Sequence, residues 1–272
     1  MAFKIEVTDR IPTYPGRVKL NPVSGQANTY DLVRADLPIA EGTPINKALL
    51  DNKAYGLSQS VTVYVSKSGS DTDGDGSSAS PFLTVQKAVN SLPKVLNGFH
   101  AQIDIASGTY DERVTIDGFM GGRLTLGVEG RSVTLRGVSI MSSNSVRLAI
   151  SNITYSASVG GTGLYLAYGS NVLLISALTV NMGSSQNYGI AAEHGSVLVA
   201  NNVAVSSSNC GRAAVMATLG SKIALVSIAG SGNTQYALAA TYGGFVTYAD
   251  KTITATSGDY SHRGGRIFTN GS

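Results

Sequence analysis

Tryptophan is missing from this 272-residue chain and cysteine occurs once. Only 14% of positions carry a charge, against roughly a quarter in an ordinary globular domain. Cys210 alone cannot close an internal disulfide, so the fold does not rest on oxidation. The net charge is +3 and the basic residues are scattered, with no Lys/Arg run interleaved with aromatics. Nucleic acid is therefore not an expected partner. No apolar run reaches the ~18 residues of a membrane span, and no membrane insertion is expected. The opening MAFKIEVTDRIPTYPGRVKL lacks a signal-peptide core, which points to folding in a cytoplasm. Between residues 142 and 249 the only acid is Glu193. That scarcity argues against glycan hydrolysis, which needs two carboxylates ~5 Å apart or ~6.5–9.5 Å apart.

What fills the space is glycine, 32 of them, with abundant Val, Ile, Thr, Ser and Asn. Such a balance favours strands joined by tight turns. Four stretches say nearly the same thing: YGSNVLL from Tyr168, HGSVLVA from His194, LGSKIAL from Leu219 and YGGFVTY from Tyr242. Their glycines, Gly169, Gly195, Gly220 and Gly243, are separated by steps of 26, 25 and 23 residues. A degenerate fifth copy, SNSVRLAISNITYS (143–156), lies under GSNVLLISALTVNM (169–182), with Ile150 set over Ile175. A rung of this length, at ~3.3 Å per strand residue, holds three short strands and their turns. Stacked rungs bury each other's inward residues. The predicted fold is all-β, a right-handed parallel β-helix with Ser145, Ser170, Ser196, Ser221 and Gly244 in one row. An antiparallel sandwich with coincidental similarity is the alternative, and the in-register Gly-Ser corner opposes it.

Four regions follow. Residues 1–58 form an extended N-terminal arm, with short strands expected around Arg17–Leu20 and Thr29–Val33 and a helix starting at Thr43–Pro44. Its few large apolar residues make a weak core, so it is read as an attachment arm stabilised by another chain. Residues 59–100 supply a strand (Val61–Val65), a Gly/Ser/Asp loop and a short cap helix. In that helix Val85, Val89 and Leu92 recur at helical spacing, and Pro93 ends it. Residues 101–256 are the β-helix. Leu124/Leu126, Val133/Leu135 and Val138/Ile140 alternate inward there. Residues 257–272 are a C-terminal tail.

VYVSKSGSDTDGDGSSASPFLTVQKAVNSLP followed by IDIASGTYDERVTI resembles the opening of bacteriophage tailspike and pectin-lyase-like β-helices. The residues that carry this are Gly69, Asp71, Asp75, Gly76, Pro81, Phe82, Thr84, Ala88, Gly108, Tyr110 and Glu112. PGRVKLNPVSGQANTYDLVRADLPIAEGTPINKALL is similar to the leader of tail-fibre proteins from phages and prophages of Gram-positive bacteria, and HRGGRIFTNGS to their C-terminal ends. The resemblance implies a homotrimeric virion protein, a tail fibre or tailspike attached to tail or baseplate proteins through its N-terminal arm. It would serve host attachment or baseplate architecture. A depolymerase that cleaves a cell-surface glycan is the enzymatic rival. A secreted adhesin is disfavoured for want of a signal peptide.

Candidate sites are few. Asp71, Asp73 and Asp75 alternate as in a calcium loop, but the twelfth position is Phe82 where a bidentate Glu is required, so no metal is assigned. Tyr110 and Glu112 lack the later aspartates of an esterase and read as coil structure. No catalytic residue and no cofactor is assigned. Asp104, Asp111 or Asp117 of a neighbouring subunit are what the enzymatic reading would need. Arg147, Arg212 and Lys222 are the basic groups open to a lyase. The tyrosines of the rungs suit either packing between subunits or contact with a bacterial surface glycan. The ligand-contact candidates are Tyr165, Tyr168, Tyr188, Glu193, His194 and Tyr242, with His194 at the corner where other rungs carry Tyr or Leu.

Overall fold

The computed structural model describes residues 56–154, 161–185 and 187–269, together with residue 24 and the backbone of four short strands between residues 11 and 40. The chain divides into two compact units, Phe3–Tyr55 and Gly56–Ser272. In the first, Val18–Pro22 pairs antiparallel with Tyr30–Arg34, and Ile11–Pro12 with Pro38–Ala40. The two strands expected from sequence are thus present, displaced by a residue or two. The expected helix at Thr43–Pro44 lies outside the described residues.

The second unit is a parallel β-solenoid of about seven turns. Each turn crosses three sheets in the same order. The first sheet begins with Val61–Val65, His100–Ile105 and Arg123–Gly127, and ends with Phe245–Tyr248 and Arg266–Thr269. The second starts at Gly108 beside Val133 and closes with Asp250–Ala255. The third carries Leu164–Ala167, Ile190–Ala192, Ala213–Ala217, Tyr236–Thr241 and Tyr260–His262 in turn. The coil therefore runs beyond the expected limits of 101 and 256. Val61–Val65 opens it, and the segment read as a tail supplies its last two strands.

Alternation along each strand sends every second side chain inward. Leu124, Val146, Val172, Leu198, Ile223 and Val246 sit in register on six successive turns. All six are buried. Each contributes ~1.5–3 kcal/mol relative to exposure. The expected inward pairs Leu124/Leu126, Val133/Leu135 and Val138/Ile140 are likewise buried.

The helix Val85–Ser91 covers the N-terminal end of this core with Val85, Ala88 and Val89. Two carboxylates far away in sequence hold its first turn. Asp71 Oδ1 accepts the backbone N–H groups of Leu83 and Thr84 at 2.9 and 3.0 Å, and Oδ2 accepts the Thr84 hydroxyl at 2.6 Å. Glu112 accepts the N–H groups of Val85 and Gln86 at 2.8 and 2.9 Å. Amides unsatisfied by the helix itself are thereby matched by negative charge. Asp71 is thus committed to the cap and Phe82 to the core, which accounts for the aspartate loop without a metal.

The repeated corner joins the third sheet to the first. Tyr168, His194, Leu219 and Tyr242 all have φ between 47° and 56°, and the glycine after each has φ between 71° and 75°. Two left-handed residues in succession make the tight turn, and only the second is free of steric cost. Each glycine N–H donates to the carbonyl of the left-handed residue one turn on: Gly169 to His194 at 2.9 Å, Gly195 to Leu219 at 3.0 Å, Gly220 to Tyr242 at 3.1 Å.

Behind the corner runs a column of fully buried serines. Ser143 Oγ accepts from Phe119 N at 3.0 Å, Ser170 Oγ from Ser143 N at 3.3 Å, Ser196 Oγ from Ser170 N at 3.2 Å and Ser221 Oγ from Ser196 N at 3.0 Å. Ser143, not Ser145, occupies the row. The corner of that turn, Ser142–Ser145, has left-handed residues at both ends, and the register is Val146 over Val172 rather than Ile150 over Ile175. The column closes at Gly244, where a Cβ would stand 2.2 Å from Ala217 O.

Ser196→Ala orphans the buried Ser170 amide and is expected to lower unfolding stability by ~1–3 kcal/mol. Leu219→Asn relieves a left-handed conformation at an exposed position and is expected to raise it by ~0.5–1 kcal/mol. Urea unfolding of both variants checks the opposite signs.

Candidate functional site

Four of the six candidate residues converge on one corner of the solenoid. Tyr165 points outward from the third sheet and donates its hydroxyl to Glu193 Oε2 at 3.1 Å, one turn further on. His194 Nδ1 lies 3.9 Å from the same oxygen. The His194 ring stacks on Tyr168 with centroids 4.9 Å apart and planes at 22°. Burial, and then the charge of Glu193, pushes the Tyr165 hydroxyl up to about 12. It therefore stays a neutral donor.

Tyr242 stands in the same corner column, two turns beyond His194 with Leu219 between. Tyr168, Leu219 and Tyr242 are 58%, 44% and 49% exposed. Arg263 continues the column with its guanidinium 5.0 Å from the Tyr242 ring centre. Bulky side chains here cost ~1–2 kcal/mol each in left-handed backbone, yet they face solvent. The facing sides of the Tyr168 and His194 rings cover each other.

Tyr188 is elsewhere. It lies in a cleft of about 360 Å3 on the third sheet with Arg212, Met216, Gln235, Tyr236 and Tyr260. The Arg212 guanidinium is 5.9 Å from its ring centre, and Tyr236 stacks on Tyr260 at 4.6 Å. Tyr260 was not among the candidates. Its only sequence signal was the extension of the repeat into the last sixteen residues.

The geometry leaves hydrolysis poorly served. Glu193 faces a tyrosine and a histidine rather than a second carboxylate. Asp104 is paired with Arg131, and Asp111 with Arg136. Arg147 and Lys222 lie on the first sheet and Arg212 in the third-sheet cleft, so the basic groups a lyase would gather are dispersed. Among the described residues no cluster of three His, Cys, Asp or Glu is placed to hold a metal, and no helix is long and apolar enough to cross a membrane.

A second group escaped the sequence reading. His100 and Arg123 are in register on adjacent strands of the first sheet, and Arg147 stands in the next outward column. Arg123 Nη2 donates to His100 Nδ1 at 3.0 Å, and His100 Nε2 lies 2.8 Å from Thr125 Oγ1. A guanidinium only donates, so Nδ1 accepts and the Nε2–H bonds the threonine. Only the rung register, which the degenerate copy obscured, brings these residues together.

Compared with known protein families, curated proteins and solved structures, the chain matches none of them.

Burial, then Arg123 and Arg147, hold His100 below its ordinary value of 6.5. The folded chain thus binds fewer protons there than the unfolded chain, and the stability from a neutral His100 is present above that pH and lost as pH falls below it. Unfolding free energy measured from pH 7.5 downward is expected to fall below about pH 6.5, with His100→Asn flattening that part of the curve.

Proposed function

We propose that the protein is a non-enzymatic spike or fibre of a phage tail or phage-tail-like particle. In this reading it is a homotrimer anchored by its N-terminal segment and used for host attachment or baseplate architecture. The observation that carries the reading is the outer surface of the first sheet. Ala224, Thr247 and Phe268 succeed one another in register along one outward column toward the C-terminal end. Lys222 and Phe245 do so along its neighbour. Phe245 and Phe268 stack with centroids 6.3 Å apart, and Phe268 is 42% exposed. A mainly apolar, half-exposed strip on a solenoid is the kind of surface that oligomerisation removes from water.

The resemblance of the leader and of the capping segment to tail fibres and tailspikes supports the same reading, and a β-solenoid is compatible with it. The dispersed acids favour it over a depolymerase. A cell-surface glycan, if one is the receptor, finds its best place in the aromatic cleft around Tyr188 and Tyr260. There hydroxyls, Gln235 and Arg212 offer polar contacts beside apolar ring edges.

Light scattering is expected to give three times the 28.1 kDa chain mass. Phe268→Asp is expected to shift the population toward monomer without loss of β circular dichroism. A stable wild-type monomer, in solution and in particles lacking threefold copies, sinks the reading. Deleting residues 1–58 should leave a folded, soluble β-helix that no longer appears in purified particles. Normal incorporation of the truncated chain would show the arm assignment to be wrong.

A further inference from the structure

A shallow cleft of about 430 Å3 opens on the outer surface of the first sheet, toward its N-terminal end. Arg123 and Arg147 line one part of it, and Leu173, Val197 and Val199 continue it along the solenoid axis, with Asn171 between. Among the described residues that line it there is no acid. Arg147 is half-buried and makes no hydrogen bond or ion pair among the described residues. Arg123 spends one nitrogen on His100, and its Nε is buried without a partner. Two guanidiniums are thus held on adjacent turns, partly withdrawn from water, with nothing negative beside them. The neighbouring imidazole is neutral and gives no relief. Such an arrangement is unfavourable until an anion enters, because each uncompensated charge has lost hydration and gained repulsion.

We propose that this cleft binds an amphipathic carboxylate, its head on Arg123 and Arg147 and its aliphatic body along Leu173, Val197 and Val199. Guanidinium forks match the two oxygens of a carboxylate and present several donors to it. The lining beyond them is aliphatic rather than aromatic, with the Ser145 hydroxyl and the Asn171 amide as its polar side chains. It therefore rewards methylene groups and offers little to the hydroxyls of a neutral sugar. The site does not depend on the attachment reading and would stand if the protein proved to have another role.

The test titrates the full-length protein with sodium hexanoate, sodium acetate and hexylammonium chloride, followed by calorimetry and by the arginine Nε–H resonances. Hexanoate is expected to saturate one site and to bind at least about tenfold more tightly than acetate, since four more methylenes leave water. The Arg123 Nε–H signal should shift as it does so. Arg147→Gln should weaken hexanoate binding by about tenfold or more, and Lys222→Gln, further along the same face, should leave it unchanged. Equal binding of acetate and hexanoate overturns the proposal, as does hexylammonium binding as well as hexanoate, or equal loss in the two variants. Absence of any hexanoate binding overturns it too. Should Arg147→Gln fail to fold, the three-ligand comparison on the wild-type chain decides alone.

Discussion

Each turn of the solenoid must reverse direction three times, and at the corner after the third sheet it does so with backbone amides pointed into a dry interior. The serine column answers those amides. A hydroxyl at Ser143, Ser170, Ser196 or Ser221 accepts from the turn before it, while the serine's own carbonyl accepts from the turn after, as in Val197 N to Ser170 O and Lys222 N to Ser196 O at 2.8 Å. Leaving a buried amide unmatched costs about as much as a well-packed methyl-rich side chain contributes. The corner consequently pins the register of the first sheet that follows it, while bulges let the second sheet take a register of its own.

Once register is fixed, the outer surface becomes a set of columns, one residue per turn at ~4.8 Å spacing. The column at the corner carries Tyr168, His194, Leu219, Tyr242 and Arg263, all in left-handed backbone that their side chains do not favour. The first sheet carries an apolar strip at its C-terminal end and an arginine pair at its N-terminal end. The third carries the Tyr165–Glu193 contact and the tyrosine cleft.

Much of this architecture was legible because the repeat is written in glycine. Steps of 26, 25 and 23 residues between Gly169, Gly195, Gly220 and Gly243 reappear as Val172 over Leu198, Leu198 over Ile223 and Ile223 over Val246. The cap helix was legible from Val85, Ala88, Val89 and Thr84. Its anchors were not, because Asp71 and Glu112 act across 13 and 26–27 residues and their chemistry resembles that of a calcium loop or an esterase motif. The row was misplaced at Ser145 because the Ser142–Ser145 corner lacks the glycine that marks the others. Of the candidate residues, Tyr165 and Tyr168 come together with Glu193 and His194, one turn away. Tyr188 belonged to a different surface, since neighbours on a solenoid are set by register and not by proximity in the chain.

The proposal at stake is that the C-terminal end of the outer face of the first sheet is a contact surface within a threefold, particle-borne assembly. An electron-microscopy reconstruction of the assembled protein tests it most directly. The account predicts three parallel solenoids with Ala224, Phe245 and Phe268 turned toward the neighbouring copies and residues 1–58 at the attached end. A single solenoid with that face open to solvent, or an assembly that buries a different sheet, would contradict it.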